Sequence, residues 1–333
     1  QLTLRFDHLD TARLSALIGL DQQLGRTTGL LSGEMAFGFK GPSRIESRLT
    51  FRLPELTLQR LEVPLRLRNI EVAGVVSIDE TSVKLDFKRL DIDKPRLNAT
   101  GYLQAGGEAP GLRVHLEGRG IEIAEARQTT LALVGDNKTA VAIFNVLRAG
   151  HVPWITWQTA GPNAAALSAF RNMKLTGEVT SGQLFIPRAD LELTDVSGVA
   201  EIAEGVLHGD RLSARYLATT GRDGQLWIDF GADDDPLFLE IDTHLHDVGQ
   251  LPPLLAQWVT NAPFQEELRR IQEVHGEARG LLMLDSLNGR GLEVTADVAQ
   301  CQLAAVYDRI PWGLQIEKGQ ILYTPGRIAV DQM

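Results

Sequence analysis

The sequence has a single cysteine, Cys301. No disulfide can therefore form within the chain, and cysteine usage leaves the redox compartment open. Aromatic residues are scarce, at 6%, which leaves too few Trp and Tyr for the girdles that flank a membrane barrel. No apolar run approaches the roughly 20 residues that a bilayer-spanning helix needs. Positive charge is in deficit: 33 Lys and Arg stand against 43 Asp and Glu, a net charge of −10. Nucleic acid, which requires a clustered basic surface, is not expected as a partner. The densest basic stretch, RIESRLTFRLPELTLQRLEVPLRLR from Arg44 to Arg68, alternates its charges with Leu, Phe and Val and reads as the wet face of a sheet.

Recognisable chemistry is missing as well. No G-x-S-x-G elbow or P-loop occurs. The GRG at 118–120 and at 289–291 begins like a dinucleotide fingerprint, lacks the third glycine and the following helix, and reads as a turn in both places. His244 and His246 in DTHLHD would share a strand face beside Asp242 and Asp247, but no third ligand stands at motif spacing. They read as a solvated strand end. The run Asp233, Asp234, Asp235 lacks the calcium-loop spacing and reads as a loop. The expectation is a protein that is not an enzyme, with no catalytic residue, metal or cofactor.

What the sequence does have is alternation of period two, the mark of half-buried strands. From Gly29, segments such as GLLSGEMAFGF, LTFRLPELTL, SVKLDFKRLDI and LRVHLEGRGIEI alternate, with Gly, Pro, Asn or Asp at most joints. The middle changes character: helix-compatible, Ala-rich runs suggest short helices near 137–149 and 162–171, with Asn137 or Asp136 and Asn163 as N-caps, after an earlier one near 11–20. From Met173 strands return, and one amphipathic insertion, VGQLPPLLAQWVTNAPFQEELRRIQEV, interrupts them. It carries Leu254, Leu255, Trp258 and Val259, then Phe264, Leu268 and Ile271, at helical spacing. The predicted organisation is a β-rich segment over 1–136, a helical insertion over 137–172, and a β-rich segment over 173–333 with its own helical insertion at 248–274. A Gly-Glu pair recurs in GLLSGEM, KLTGEVT and VHGEARG. Most strands read as five to seven residues long, about twenty in all.

Alternation gives each strand one apolar and one polar face. The apolar face would carry Leu175, Leu191, Leu193, Ile202, Leu212, Leu226, Ile228, Phe230, Leu239, Ile241, Leu282, Leu284, Leu292, Val294, Leu303, Leu314, Ile316 and Ile321. A closed barrel or a sandwich would fill its interior with such residues, but sheets beyond about ten strands tend to curl or split. A membrane barrel needs strands of about 9 to 11 residues, longer than those read here. A long sheet that curls without closing leaves a continuous apolar trough, able to hold acyl chains. Alternation thus predicts a mainly β fold with a few short helical insertions and leaves two forms open, a closed barrel or sandwich and a long curled antiparallel sheet open along one side, a taco-like groove.

Residues MKLTGEVTSGQLFIPRADLELTDVSGVAEIAEGVLHGDRLSAR, GRDGQLWIDF and YDRIPWGLQIEKGQILYTPGRIAV resemble the AsmA-like proteins of diderm bacteria, the group that includes TamB and YhdP relatives. The match runs through Gly182 to Pro187 and Asp195 to Gly198, and it is strongest over 173–333. The resemblance implies the long curled sheet open along one side, a bridge-like conduit in the periplasm that carries phospholipid between inner and outer membrane, with the residues above lining the groove. Its partners would be phospholipid acyl chains and the two membranes, or envelope proteins at its ends. The chain opens on Gln1 and stops at Met333 inside a strand pattern, so the expectation is a piece of a longer protein, with an inner-membrane anchor outside it. The competing expectation is a β-rich envelope scaffold that binds protein partners and carries no lipid.

Overall fold

Among the described residues, seventeen β-strands account for most of the chain. The computed structural model describes residues 2–17, 25–39, 43–107, 111–167, 169–232, 234–259, 261–287, 289, 291–325 and 327–331. The chain divides into two compact units, one of residues 1–180 with 200–205 and one of 181–199 with 206–333. The boundary thus lies a few residues beyond the predicted change at 173.

In the first unit, β1 (Leu2–Asp10), β2 (Arg26–Phe39), β3 (Ile45–Gln59), β4 (Leu65–Ile78), β5 (Ser82–Ile92), β6 (Leu97–Gly106), β7 (Leu112–Glu122) and β8 (Leu147–Gly161) each pair antiparallel with the next. Directly opposed residues share a face. One row of them, Leu4, Met35, Leu49, Gly74, Phe87, Gly101, Leu116 and Trp157, crosses all eight strands. The apolar face foreseen from alternation is therefore continuous, and Leu49, Leu53, Ile70 and Val72 form its buried centre. The opposite face carries ion pairs such as Arg5 with Glu34 at 2.8 Å and Arg52 with Glu71 at 3.2 Å, which confirms the basic stretch as a wet face.

Among the described residues the helices of this unit are α1 (Thr11–Leu17), α2 (Ile123–Val134), α3 (Lys138–Val146) and α4 (Ala164–Leu167), the last followed by a 3-10 turn at 170–172. Residues 18–20 of the first predicted helix lie outside the described residues. Asn137 caps α3 as expected, accepting from the Ala140 N–H at 3.1 Å. The stretch 137–172 is, however, no purely helical insertion. Its centre, 147–161, is β8, paired along β7, and α2 starts at Ile123 inside the segment read as β-rich. The weak apolar periodicity of IAEARQTTLALV conceals α2, while pairing with β7 decides β8 whatever its neighbours do.

The strands are also longer than read. Apart from β17, they run 9 to 15 residues. Residues that look like chain breaks sit inside strands as bulges. In β10 (Leu191–Ala203), Asp195 has φ 51° and Gly198 φ 152°. Gly118 and Gly120 likewise lie within β7 and not in a turn. True turns are rarer: Glu204 (φ 55°) and Gly205 (φ 87°) make the two-residue reversal after β10, with the paired positive φ that suits a right-twisted hairpin. Strand length thus gives no argument against a membrane barrel.

β9 (Met173–Ile186) and β10 form a hairpin whose tip, 181–199, belongs to the second unit. There β11 (Val206–Tyr216), β12 (Thr219–Asp229), β13 (Leu237–Leu245), β14 (Ile271–Asp285), β15 (Glu293–Tyr307), β16 (Leu314–Thr324) and β17 (Arg327–Asp331) run as an antiparallel meander. Between β13 and β14 stand α5 (Leu251–Trp258) and α6 (Ala262–Arg269), within the predicted insertion. Among the described residues no helix is long and apolar enough to cross a membrane.

Candidate functional site

The second unit repeats the row geometry. Gly209, Leu226, Leu239, Leu284 and Val294 oppose one another across five strands, and Thr243, Gly280, Val298 and Ile321 do so across four. The two rows end differently. Toward the β12–β13 loop the side chains fill their own space: Leu207, Ile228, Leu237 and Leu284 are fully buried. On the hairpin tip, Leu184, Ile186, Ala189 and Val196 are buried too. The turn after β9 is held to that loop by Arg188, whose Nε donates to the Asp234 carbonyl at 2.6 Å. This part is a packed core.

Toward the other end the face opens into a cavity of about 720 Å³, within the about 300 to 1,000 Å³ of sites that take small molecules. Its floor is the sheet, around the buried cluster Leu245, Val248, Ala278 and Cys301. Its cover is the helical insertion. Leu251, Leu254, Leu255 and Trp258 of α5 and Phe264 of α6 all face it. Local chemistry explains why the insertion is helical: Asp247 caps the turn at 248–250, accepting from Gly249 N–H at 2.9 Å, and Asn261 caps α6, accepting from Phe264 N–H at 3.0 Å. Pro252 and Pro263 sit in the first turns, where a missing N–H costs nothing.

The cavity's few polar groups lie mostly at its rim. Tyr307 donates to Glu267 Oε2 at 2.5 Å, and Arg309 pairs with the same carboxylate. The Tyr307 hydroxyl and the charges of Arg309 and Arg270 hold Glu267 below the usual carboxylate range. Arg215 pairs with Asp195 at 3.4 Å. Burial pushes the Cys301 thiol up, away from the reactive thiolate.

The structure sorts the predicted lining residues. Leu191, Leu193, Leu239, Ile241, Leu282, Val294, Leu303, Leu314 and Ile321 line the cavity. Leu212, Leu226, Ile228, Phe230 and Leu284 are buried and lie outside its lining, because neighbouring side chains fill the space above them. Leu292 and Ile316 are half-buried and lie outside it as well. Leu175 and Ile202 belong to the first unit. Sequence reasoning missed the cover, although Leu254, Leu255, Trp258 and Phe264 already stood at amphipathic spacing. It also missed the small and polar floor residues Thr219, Gly221, Thr243 and Gly280, which break the apolar alternation.

The His244 and His246 rings lie 3.8 Å apart, His244 faces Glu277 at 3.4 Å, and Asp247 is spent as a cap. Comparison with family models, curated proteins and solved structures yields no match.

Proposed function

We propose that the second unit binds the acyl chains of phospholipid in its apolar cavity, as a segment of a periplasmic conduit between inner and outer membrane. The supporting observation is a cavity of about 720 Å³ bounded by leucine, isoleucine, valine and aromatic side chains, with ionic groups confined to the rim. An apolar occupant removes that lining from water at roughly 25 cal/mol per Å². A hydrocarbon chain gains from this and needs no hydrogen bonds from the floor. The rim keeps a polar headgroup in water, so chain and headgroup are both solvated as they prefer. No covalent chemistry is required; the inward side chains act collectively.

Organic extraction of the natively purified protein, followed by mass spectrometry, tests the reading. Phospholipid is expected in stoichiometric amount. Leu282→Glu and Ile321→Glu, which put a charge into the cavity, should lose the lipid and keep the circular dichroism of the parent. Protein that carries no phospholipid and takes none from vesicles overturns the reading and leaves the scaffold.

A further inference from the structure

The cover of the cavity differs in construction from its floor. The floor is a paired sheet; α5 and α6 are eight residues each, below the about 12 to 15 at which an isolated helix holds together in water. Their order therefore comes from attachments, which are few. Gln265 stitches the pair internally, donating to the Ala256 carbonyl at 3.1 Å and the Val259 carbonyl at 3.0 Å. On one side the Trp258 indole N–H donates to the Ala189 carbonyl at 2.7 Å and the Gln257 amide donates to the Ala189 and Asp190 carbonyls at 3.3 and 3.2 Å, reaching the turn after β9. On the other, Glu267 holds Tyr307 and Arg309, and Phe264 lies against Tyr323 with ring centroids 5.8 Å apart. The helices thus span from the β9–β10 turn to β15 and β16, across the cavity mouth.

Their inward side chains are only half-buried. Leu251, Leu254, Leu255, Trp258 and Phe264 face the cavity; Leu251 also packs against the cluster of Leu245, Val248, Ala278 and Cys301, and in the two helices Leu268 alone is buried. The ends of the insertion, by contrast, are fixed: Val248 is fully buried, and Ile271 enters the sheet opposite Tyr307. Two fixed ends on adjacent strands, a short body and attachments at the far rim are the parts of a hinged cover.

We propose that α5–α6 is a strap that lifts to admit or release an acyl chain, so that a lipid passes this point in a gated step and does not slide freely along the sheet. The proposal rests on the acyl-binding reading above. In the closed position Trp258 and Glu267 latch the strap to opposite rims; opening breaks both attachments and swings the apolar inner side away from the sheet.

Stopped-flow fluorescence of the whole chain, loaded from vesicles of phosphatidylcholine bearing one pyrene-labelled acyl chain and then mixed with unlabelled vesicles, measures release. Trp258→Phe keeps the ring and removes the N–H donor; Glu267→Gln keeps the size and removes the charge. Each should speed release by about five-fold, the factor that one lost hydrogen bond carries. Uptake should speed as well, so that equilibrium occupancy moves less than either rate. The two variants sit on separate attachments, so misfolding of one, seen as a lost cooperative melt, leaves the other as the test. A wild-type protein that takes up no probe overturns acyl binding and the strap together. Uptake with release unchanged in the folded variants overturns the strap alone.

Discussion

Gly33, Gly177 and Gly276, the glycines of the recurring Gly-Glu pair, serve one purpose at three places. A Cβ on Gly33 would meet the Thr50 carbonyl at 2.4 Å, on Gly177 the Trp154 carbonyl at 2.8 Å, and on Gly276 the Gln302 carbonyl at 2.0 Å. Each glutamate then reaches a partner on a neighbouring strand: Arg5 for Glu34, the Trp154 indole for Glu178, His244 for Glu277. Gly276 also has φ 133°, so Gly276→Ala should cost on the order of 3 kcal/mol through clash and backbone strain together. Gly120→Ala, at φ 66° with open space around it, should cost about 1 kcal/mol. Urea unfolding of both variants checks the contrast. Leu284 and Leu282 form a second such pair. Leu284 is fully buried and its truncation to Ala should cost about 2 to 5 kcal/mol. Leu282 already borders a cavity, so Leu282→Ala should fall well below that range.

Among the elements, helices and strands were legible to different degrees. The cap at Asn137 and the insertion after β13 could be read directly, because caps and 3.6-residue spacing are local signals. Asn137→Ala should cost about 1 kcal/mol through loss of the bond to Ala140 N–H, measured by thermal melting. Strand lengths could not be read, since a residue at positive φ looks the same in a sequence whether it turns the chain or only bulges it. The neighbouring strand decides: β11 and β12 shift register around Arg211 and Asp223 and remain paired on both sides of them. Likewise the amphipathic face of α5–α6 was visible, but not the cavity it covers.

For the whole molecule, the ionic groups set how stability responds to pH. Asp79 accepts from the backbone N–H groups of Thr81 and Ser82 and from the Ser82 hydroxyl, which hold its carboxyl at about 2 against an ordinary 3.8. Glu267 is lowered by Tyr307, then by Arg309 and Arg270, and Asp7 by the Ser32 hydroxyl. A carboxyl whose folded value lies below its unfolded one contributes stability above the unfolded value and loses it as pH falls through the folded one. Asp235, raised by burial, has the opposite sign and contributes only below its raised value. Three lowered groups against one raised one predict a melting temperature that is level from about pH 6 to 8 and declines as pH falls from 3.8 toward about 2. Calorimetry across that range checks it, and Asp79→Asn should flatten the decline.

By itself the sequence determined a mainly β chain with one apolar and one polar face, short helices within 137–149 and 248–274, and the residues that could turn inward, because alternation and capping act over a few residues. Only the tertiary structure decided which of those residues pack and which line a cavity. Leu226 and Leu239 stand opposite each other in one row, yet Leu239 borders the cavity and Leu226 does not. That depends on bulges, register and attachments between residues as distant as Ala189 and Trp258, which no local pattern records.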